Sequence, residues 1–268
     1  MRRWAAALAL IALAGCGATH DRAGARCAAP GNHWFGEALL HVPPSAAGSR
    51  PLVVAFHGGS QSGGSFAQYT GLSRFADRHG FAVLYPTAAA GRRFWALNRR
   101  ARPDDVPRLA ALLRAAAPAA CAAPGRIYAA GFSNGGGFAV RAACELPQFA
   151  AIASVAGGYT KLDPCPARRR ISLREIHSTA DDGVPYRGYG RDHHGDIRRF
   201  VAGWARRDGC NSTPRTAPLG RYARRINYTG CAAGLNVEHI AVLGDPHYWY
   251  EGSNARVWRF LRDQRRLS

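Results

Sequence analysis

The stretch Ile127-Tyr128-Ala129-Ala130-Gly131-Phe132-Ser133-Asn134-Gly135 constrains this chain more than any other. An apolar run passes directly into G-x-S-x-G, and a helix-compatible segment follows to near Glu145. Glycines flanking a serine let the backbone turn sharply from strand to helix, which lifts the hydroxyl out of the sheet. That hydroxyl is a weak nucleophile, so the turn has chemical meaning only if a base and an acid arrive from elsewhere. With 31 glycines in 268 residues the bare pattern also arises by chance, so its context must carry the argument.

The upstream context is an α/β one. Trp34 to Val42 reads as an early strand, and Pro51 to Phe56 is a nearly continuous apolar run, as expected of a strand buried on both faces. That strand leads into His57-Gly58-Gly59-Ser60. Glycines there let the backbone curl and aim N–H groups inward, so Gly59 or Ser60 is the expected first oxyanion donor and the N–H of Asn134 the second. His57 is expected to bond neighbouring backbone. Leu72 to His79 reads as a helix stopped by Gly80, Phe81 to Tyr85 as a strand, and Asp104 and Asp105 as caps of a helix running to about Ala117. The loop between carries Phe94 and Trp95. Trp95 and Trp249 are the candidate pocket aromatics, with loop packing as the alternative use of Phe94 and Trp95.

Downstream, Ala150 to Val155 and Ile171 to His177 read as two further buried strands. The second runs into Ser178-Thr179-Ala180-Asp181-Asp182-Gly183-Val184-Pro185, where either aspartate could orient a histidine. Ile197 to Arg207 is an amphipathic helix, Val237 to Leu243 the last strand, and a closing helix begins near Asn254. His247 lies in the loop after the last strand and is the candidate base. His239, inside that strand, is the structural alternative. Nucleophile, acid and base thus follow in the order Ser, Asp, His. The expected architecture is a single α/β domain, with a mostly parallel central sheet flanked by helices.

A formal charge of +19 invites a nucleic-acid partner. The composition argues against a specific one. Of 36 basic residues Lys161 is the only lysine, and the arginines are scattered without an aromatic-interleaved patch. Arg2 and Arg3, the apolar run from Trp4 to Leu13, and Leu13-Ala14-Gly15-Cys16 have the layout of an export signal. Cys16 in that position resembles the lipidated cysteine of bacterial lipoproteins. The expected organisation is a signal over residues 1–15, a tether over 16–26 and a catalytic domain over 27–268. An exported protein is expected, held on the cell envelope through lipidated Cys16 (the outer membrane in a Gram-negative host) or secreted. Six further cysteines, Cys27, Cys121, Cys144, Cys165, Cys210 and Cys231, read as disulfides in such a compartment, with fifteen possible pairings. No C-x-x-C spacing occurs, and Asp192-His193-His194-Gly195-Asp196 lies in a loop without fixed ligand geometry, so neither a metal nor another cofactor is expected.

Four stretches together carry a family resemblance: Leu52 to Gly59, Ala130 to Gly136, His177 to Asp181 with Val184-Pro185-Tyr186, and His247-Tyr248-Trp249. From Cys27 onward the chain resembles the esterases of the polyhydroxybutyrate depolymerase and feruloyl esterase type, within the α/β-hydrolases. The resemblance implies Ser133 as nucleophile, Asp181 rather than Asp182 as acid and His247 as base. It also implies pairings of Cys27 with Cys121, Cys144 with Cys165, and Cys210 with Cys231. The substrate it implies is a small or oligomeric ester, feruloyl, aryl or hydroxyalkanoate, cleaved through an acyl-enzyme. Ser178 stands where the family usually has glycine, and Asp245-Pro246 replaces a glycine-rich lead-in to the histidine. A serine peptidase of the same fold and a non-catalytic envelope-binding lipoprotein are the competing expectations.

Overall fold

The computed structural model describes residues 27–44, 48–89, 93–190 and 195–266. The expected signal, the tether and Cys16 lie outside them, as do residues 191–194 of the Asp/His loop.

A sheet of 10 strands forms the middle layer. Its centre is built from β3 (Arg50–Phe56), β4 (Ala82–Tyr85), β5 (Ala122–Phe132), β6 (Phe149–Val155), β7 (Ser172–Ser178) and β10 (Val237–Val242). These run parallel in the spatial order β4-β3-β5-β6-β7-β10. Parallel strands need crossovers, and the helices supplying them cover both faces, which is why β3 and β6 read as unbroken apolar runs. Successive side chains of β3 serve opposite layers. Leu52, Val54 and Phe56 pack in one core with α3 (Asp105–Ala119), α4 (Asn134–Glu145) and α5 (Ile197–Arg207). Val53 and Ala55 pack in the other with α1 (Gly63–Thr70), α2 (Leu72–His79) and α6 (Ser253–Leu261). Phe56 is fully buried, and truncating such a ring to alanine costs about 3–5 kcal/mol.

Two edges differ from expectation. The single early strand is a hairpin, β1 (Gly31–Phe35) paired antiparallel with β2 (Ala38–Val42) across a turn at Gly36 and Glu37. At the other edge β8 (Arg215–Pro218) and β9 (Ala223–Tyr228) extend the sheet from β10. This hairpin was not legible because its arginine-rich residues are mostly exposed and show no apolar alternation. Helix α1 was also hidden, in a stretch that reads as a glycine-rich loop. It starts at Ser62, where the side chains of Ser62 and Ser65 reciprocally bond each other's backbone N–H.

The three disulfides join Cys27 to Cys121, Cys144 to Cys165 and Cys210 to Cys231. They tie the segment before β1 to the end of α3, the end of α4 to the β6–β7 connection, and the end of α5 to the turn after β9.

Candidate active site

The carboxyl ends of parallel strands, with the loops that leave them, are where an α/β sheet presents its chemistry. Ser133 stands between β5 and α4 at φ 55° and ψ −123°, an unusual backbone conformation for a residue with a side chain. The neighbouring glycines are required by close approach. A Cβ on Gly131 would lie 2.2 Å from the Gly135 carbonyl oxygen, and one on Gly135 would lie 2.2 Å from that of His57. The backbone folds back on itself here, and only hydrogen fits.

Three loops bring the other groups. The Ser133 hydroxyl donates to His247 Nε2 at 2.9 Å. His247 Nδ1 donates to both oxygens of Asp181, at 2.9 and 2.8 Å. The imidazole stacks on Phe132, with ring centroids 4.9 Å apart. Asp182 is not in this chain of bonds. Its carboxylate accepts the backbone N–H of His247 at 2.9 Å and so anchors the loop.

Asp181 is held from several sides. Its Oδ1 accepts the N–H groups of Gly183 and Val184, at 3.0 and 2.6 Å, and its Oδ2 accepts the Tyr250 hydroxyl at 3.0 Å. Burial opposes its ionisation, yet the hydrogen bonds from His177, His247 and Val184 hold it well below the ordinary carboxylate range. Burial and the adjacent Asp181 charge push the Tyr250 hydroxyl up, so it stays a donor. Ser178, the departure from the family pattern, is buried; its Oγ accepts the Ala180 N–H at 3.1 Å.

The oxyanion candidates separate. Ser60 donates its N–H to the Arg93 carbonyl at 2.7 Å, so it is not available to a ligand. Gly58 donates to the Gln61 side chain at 2.9 Å. Among the described residues the N–H groups of Gly59 and Asn134 have no acceptor. His57 is fully buried, bonding the Gly58 carbonyl through Nδ1 at 2.7 Å and the Ala88 N–H through Nε2 at 3.1 Å. Burial lowers its basicity.

The expected pocket aromatics are both buried. Trp95 borders a cavity of ≈ 410 Å³ together with Phe94, Leu97, Asn134 and Lys161. Its indole is only 3% exposed, however, stacked on Phe138 at 4.6 Å and donating from Nε1 to the His57 carbonyl. Trp249 is 9% exposed and donates from its ring to Asn254. Both belong to the packing. Three exposed rings lie close to the site: Phe94, which sits over Gly59, Tyr69, whose ring lies 5.9 Å from Phe132, and Tyr189, whose hydroxyl donates to the Gly183 carbonyl. Charge patterning could have pointed to the loop's anchors. Buried Asp105 accepts the N–H groups of Ala89 and Ala96 at 2.8 and 2.9 Å, and buried Arg141 reaches the Ala96 carbonyl and Asp104.

The chain has recognisable relatives. Residues 37–166 match the family described as Esterase PHB depolymerase. The putative esterase NocK of Nocardia uniformis subsp. tsuyamanensis is 30% identical over 247 residues, covering 80% of this chain and 70% of that protein. Feruloyl esterase B of Piromyces equi is 25% identical over 241 residues, and the match spans 84% of this chain but 44% of that protein. Among solved structures, an acetyl xylan esterase from Aspergillus awamori superposes with a TM-score of 0.66 at 16% identity, covering 86% of this chain and 98% of that one. The fold and the family agree, and the chain belongs to the polyhydroxybutyrate depolymerase and feruloyl esterase type of α/β-hydrolase, a family of carboxylic ester hydrolases.

Proposed function

We propose that this protein is an exported serine esterase that cleaves a small or oligomeric ester through an acyl-enzyme on Ser133. The observation that carries the proposal is the unbroken chain of bonds from Ser133 through His247 to Asp181. In the first half-reaction Ser133 Oγ attacks the ester carbonyl while His247 Nε2 takes its proton. Asp181 fixes the tautomer that leaves Nε2 free to accept, and stabilises the imidazolium once formed. The N–H groups of Gly59 and Asn134 receive the oxyanion. His247 then gives its proton to the departing alcohol, and water, activated by the same ring, releases the acid.

The exposed rings of Phe94, Tyr69 and Tyr189 around these groups support an aryl or otherwise apolar acyl or alcohol portion. Three disulfides support an oxidising compartment, and the lipobox-like sequence ending at Cys16 supports anchorage to the cell envelope. The test is hydrolysis of a short-chain aryl ester and of a hydroxycinnamoyl ester by the wild-type protein and Ser133→Ala. Turnover by wild type that falls by at least about a thousandfold in the variant is expected. Equal rates for the two proteins would overturn the proposal.

A further inference from the structure

Behind Asp181 lies a second buried histidine. His177, on β7, is fully inaccessible to solvent. Its Nδ1 is 2.9 Å from Glu175 Oε1, and its Nε2 is 2.8 Å from the Val184 carbonyl oxygen and 3.3 Å from Asp181 Oδ2. A carbonyl oxygen only accepts, so Nε2 carries a proton. Glu175 already accepts the Gly157 N–H at 3.2 Å and the Tyr159 hydroxyl, which is itself bonded to Ser154 Oγ at 2.6 Å. Each oxygen of Glu175 thus already accepts a donor, the arrangement of an ionised carboxylate, which leaves Nδ1 to supply a proton of its own. A ring protonated at both nitrogens is an imidazolium.

We propose that His177 is a charged positioning residue, an imidazolium between Glu175 and Asp181 that holds the catalytic carboxylate in place and offsets the charge it presents to His247. This rests on the assignment of Ser133, His247 and Asp181 as the catalytic groups. The charge count explains why a cation belongs there. Glu175 and Asp181 are both buried, and two carboxylates without a counter-charge would be strongly destabilised. With His177 charged the cluster carries one net negative charge, the amount needed to stabilise one imidazolium at His247.

The surroundings agree from every side. From β10, buried His239 directs Nδ1 to the Glu175 carbonyl and Nε2 to the Tyr186 hydroxyl. Burial and the neighbouring His177 charge push its pKa down to about 3, so it stays neutral. Burial opposes charge on His177 as well, but hydrogen bonds to Asp181 and Glu175 outweigh it and push its pKa up to about 9. Tyr159 faces Glu175 from the loop after β6, and burial beside Glu175 keeps its hydroxyl protonated. Tyr250 and His247 face Asp181 from the loop before α6. Asp196 and Arg198, at the start of α5, lie beyond Tyr186.

The test is the acidic limb of the kcat/KM pH profile, measured with an aryl acetate on wild type, His177→Gln, Glu175→Gln and the double variant. Removing the cation leaves two carboxylates behind His247 and shifts the limb upward, by roughly half a unit to one unit. Removing Glu175 shifts it downward. The double variant has the wild-type charge count, and its limb returns to the wild-type position. Limbs that stay put while kcat falls in every variant would overturn the proposal and leave a structural role. If the variants do not fold, the wild-type protein decides. Nitrogen NMR shows both His177 ring nitrogens protonated at pH 7.5 if the assignment holds, and one bare nitrogen if it does not. Wild type without ester turnover or labelling at Ser133 contradicts the catalytic assignment instead, a result separate from these.

Discussion

Asn134 holds Trp95. Its Oδ1 accepts the Trp95 N–H at 2.6 Å and its Nδ2 donates to the Trp95 carbonyl at 3.3 Å, so the residue after Ser133 clasps the backbone of the loop that carries Phe94. In the proposed mechanism one residue thereby both offers its own N–H to the oxyanion and fixes the wall beside it. Asn134→Ala removes the clasp and keeps the backbone N–H. Each lost bond to a part-buried amide costs about 1 kcal/mol. A fall in kcat/KM of roughly tenfold is expected, with a drop of a few degrees in Tm. Steady-state kinetics and a thermal melt on one preparation check both.

Gly59 and Gly135 predict opposite outcomes for the same substitution. A Cβ on Gly59 would come 2.2 Å from Phe94 Cε1, the outer end of an exposed side chain rather than backbone. Gly59→Ala should fold, with a Tm near wild type and altered selectivity between aryl and alkyl esters. A Cβ on Gly135 would come 2.2 and 2.4 Å from the carbonyl oxygens of His57 and Phe56, which belong to the central strand and its exit. Gly135→Ala should accumulate as insoluble or unfolded protein. Expression, melting and a two-substrate assay separate the two cases.

The buried histidines predict a stability maximum near pH 6.5. The pKa of His177 is raised to about 9, so its contribution is complete below the ordinary histidine value and is lost as pH rises through about 9. His239 is lowered to about 3, so the unfolded chain gains a proton that the native state refuses as pH falls below about 6.5. Asp181, held low, adds stability above the ordinary carboxylate range that is lost in stronger acid. At about 1.4 kcal/mol per pH unit between the folded and unfolded values, each histidine is worth a few kcal/mol over its window. Urea midpoints measured from pH 4 to 10 should trace a dome, and the alkaline side should flatten in His177→Gln.

Much of this was legible in the sequence, for identifiable reasons. Strand β3 and helices α2 and α5 stand out because full burial gives an unbroken apolar run, and one-sided burial a helical stripe closed by a stop such as Gly80. Ser133 and His247 are marked by position relative to strands. Trp95 misleads because hydrophobic size does not reveal which of two adjacent rings points inward; Phe94 takes the exposed place because the indole N–H finds the His57 carbonyl. The choice between Gly59 and Ser60 is hidden too, since the Ser60 N–H is consumed by Arg93, a partner 33 positions away in the chain. The charge on His177 depends on Glu175, which folds back two positions along its own strand, and on Asp181 in the following loop. No local pattern encodes that convergence.

The disulfides predict a graded response to their removal. Cys27 and Cys121 enclose 94 residues of separation, whereas each of the other two bridges encloses 21. On a chain-entropy account the long loop is worth about 4.5 kcal/mol and each short one about 3. Replacing Cys27 and Cys121 with alanine should therefore lower the urea midpoint most, and a panel of three paired variants under oxidising conditions checks the order.

In the proposed mechanism the ester is opened by Ser133 Oγ. The most direct measurement is mass spectrometry of the intact protein and its peptides after reaction with a fluorophosphonate. One adduct is expected, on the peptide containing Ser133, absent in Ser133→Ala and strongly slowed in His247→Ala. A protein that hydrolyses ester while Ser133 stays unmodified, or one whose label falls on another residue, would contradict that mechanism.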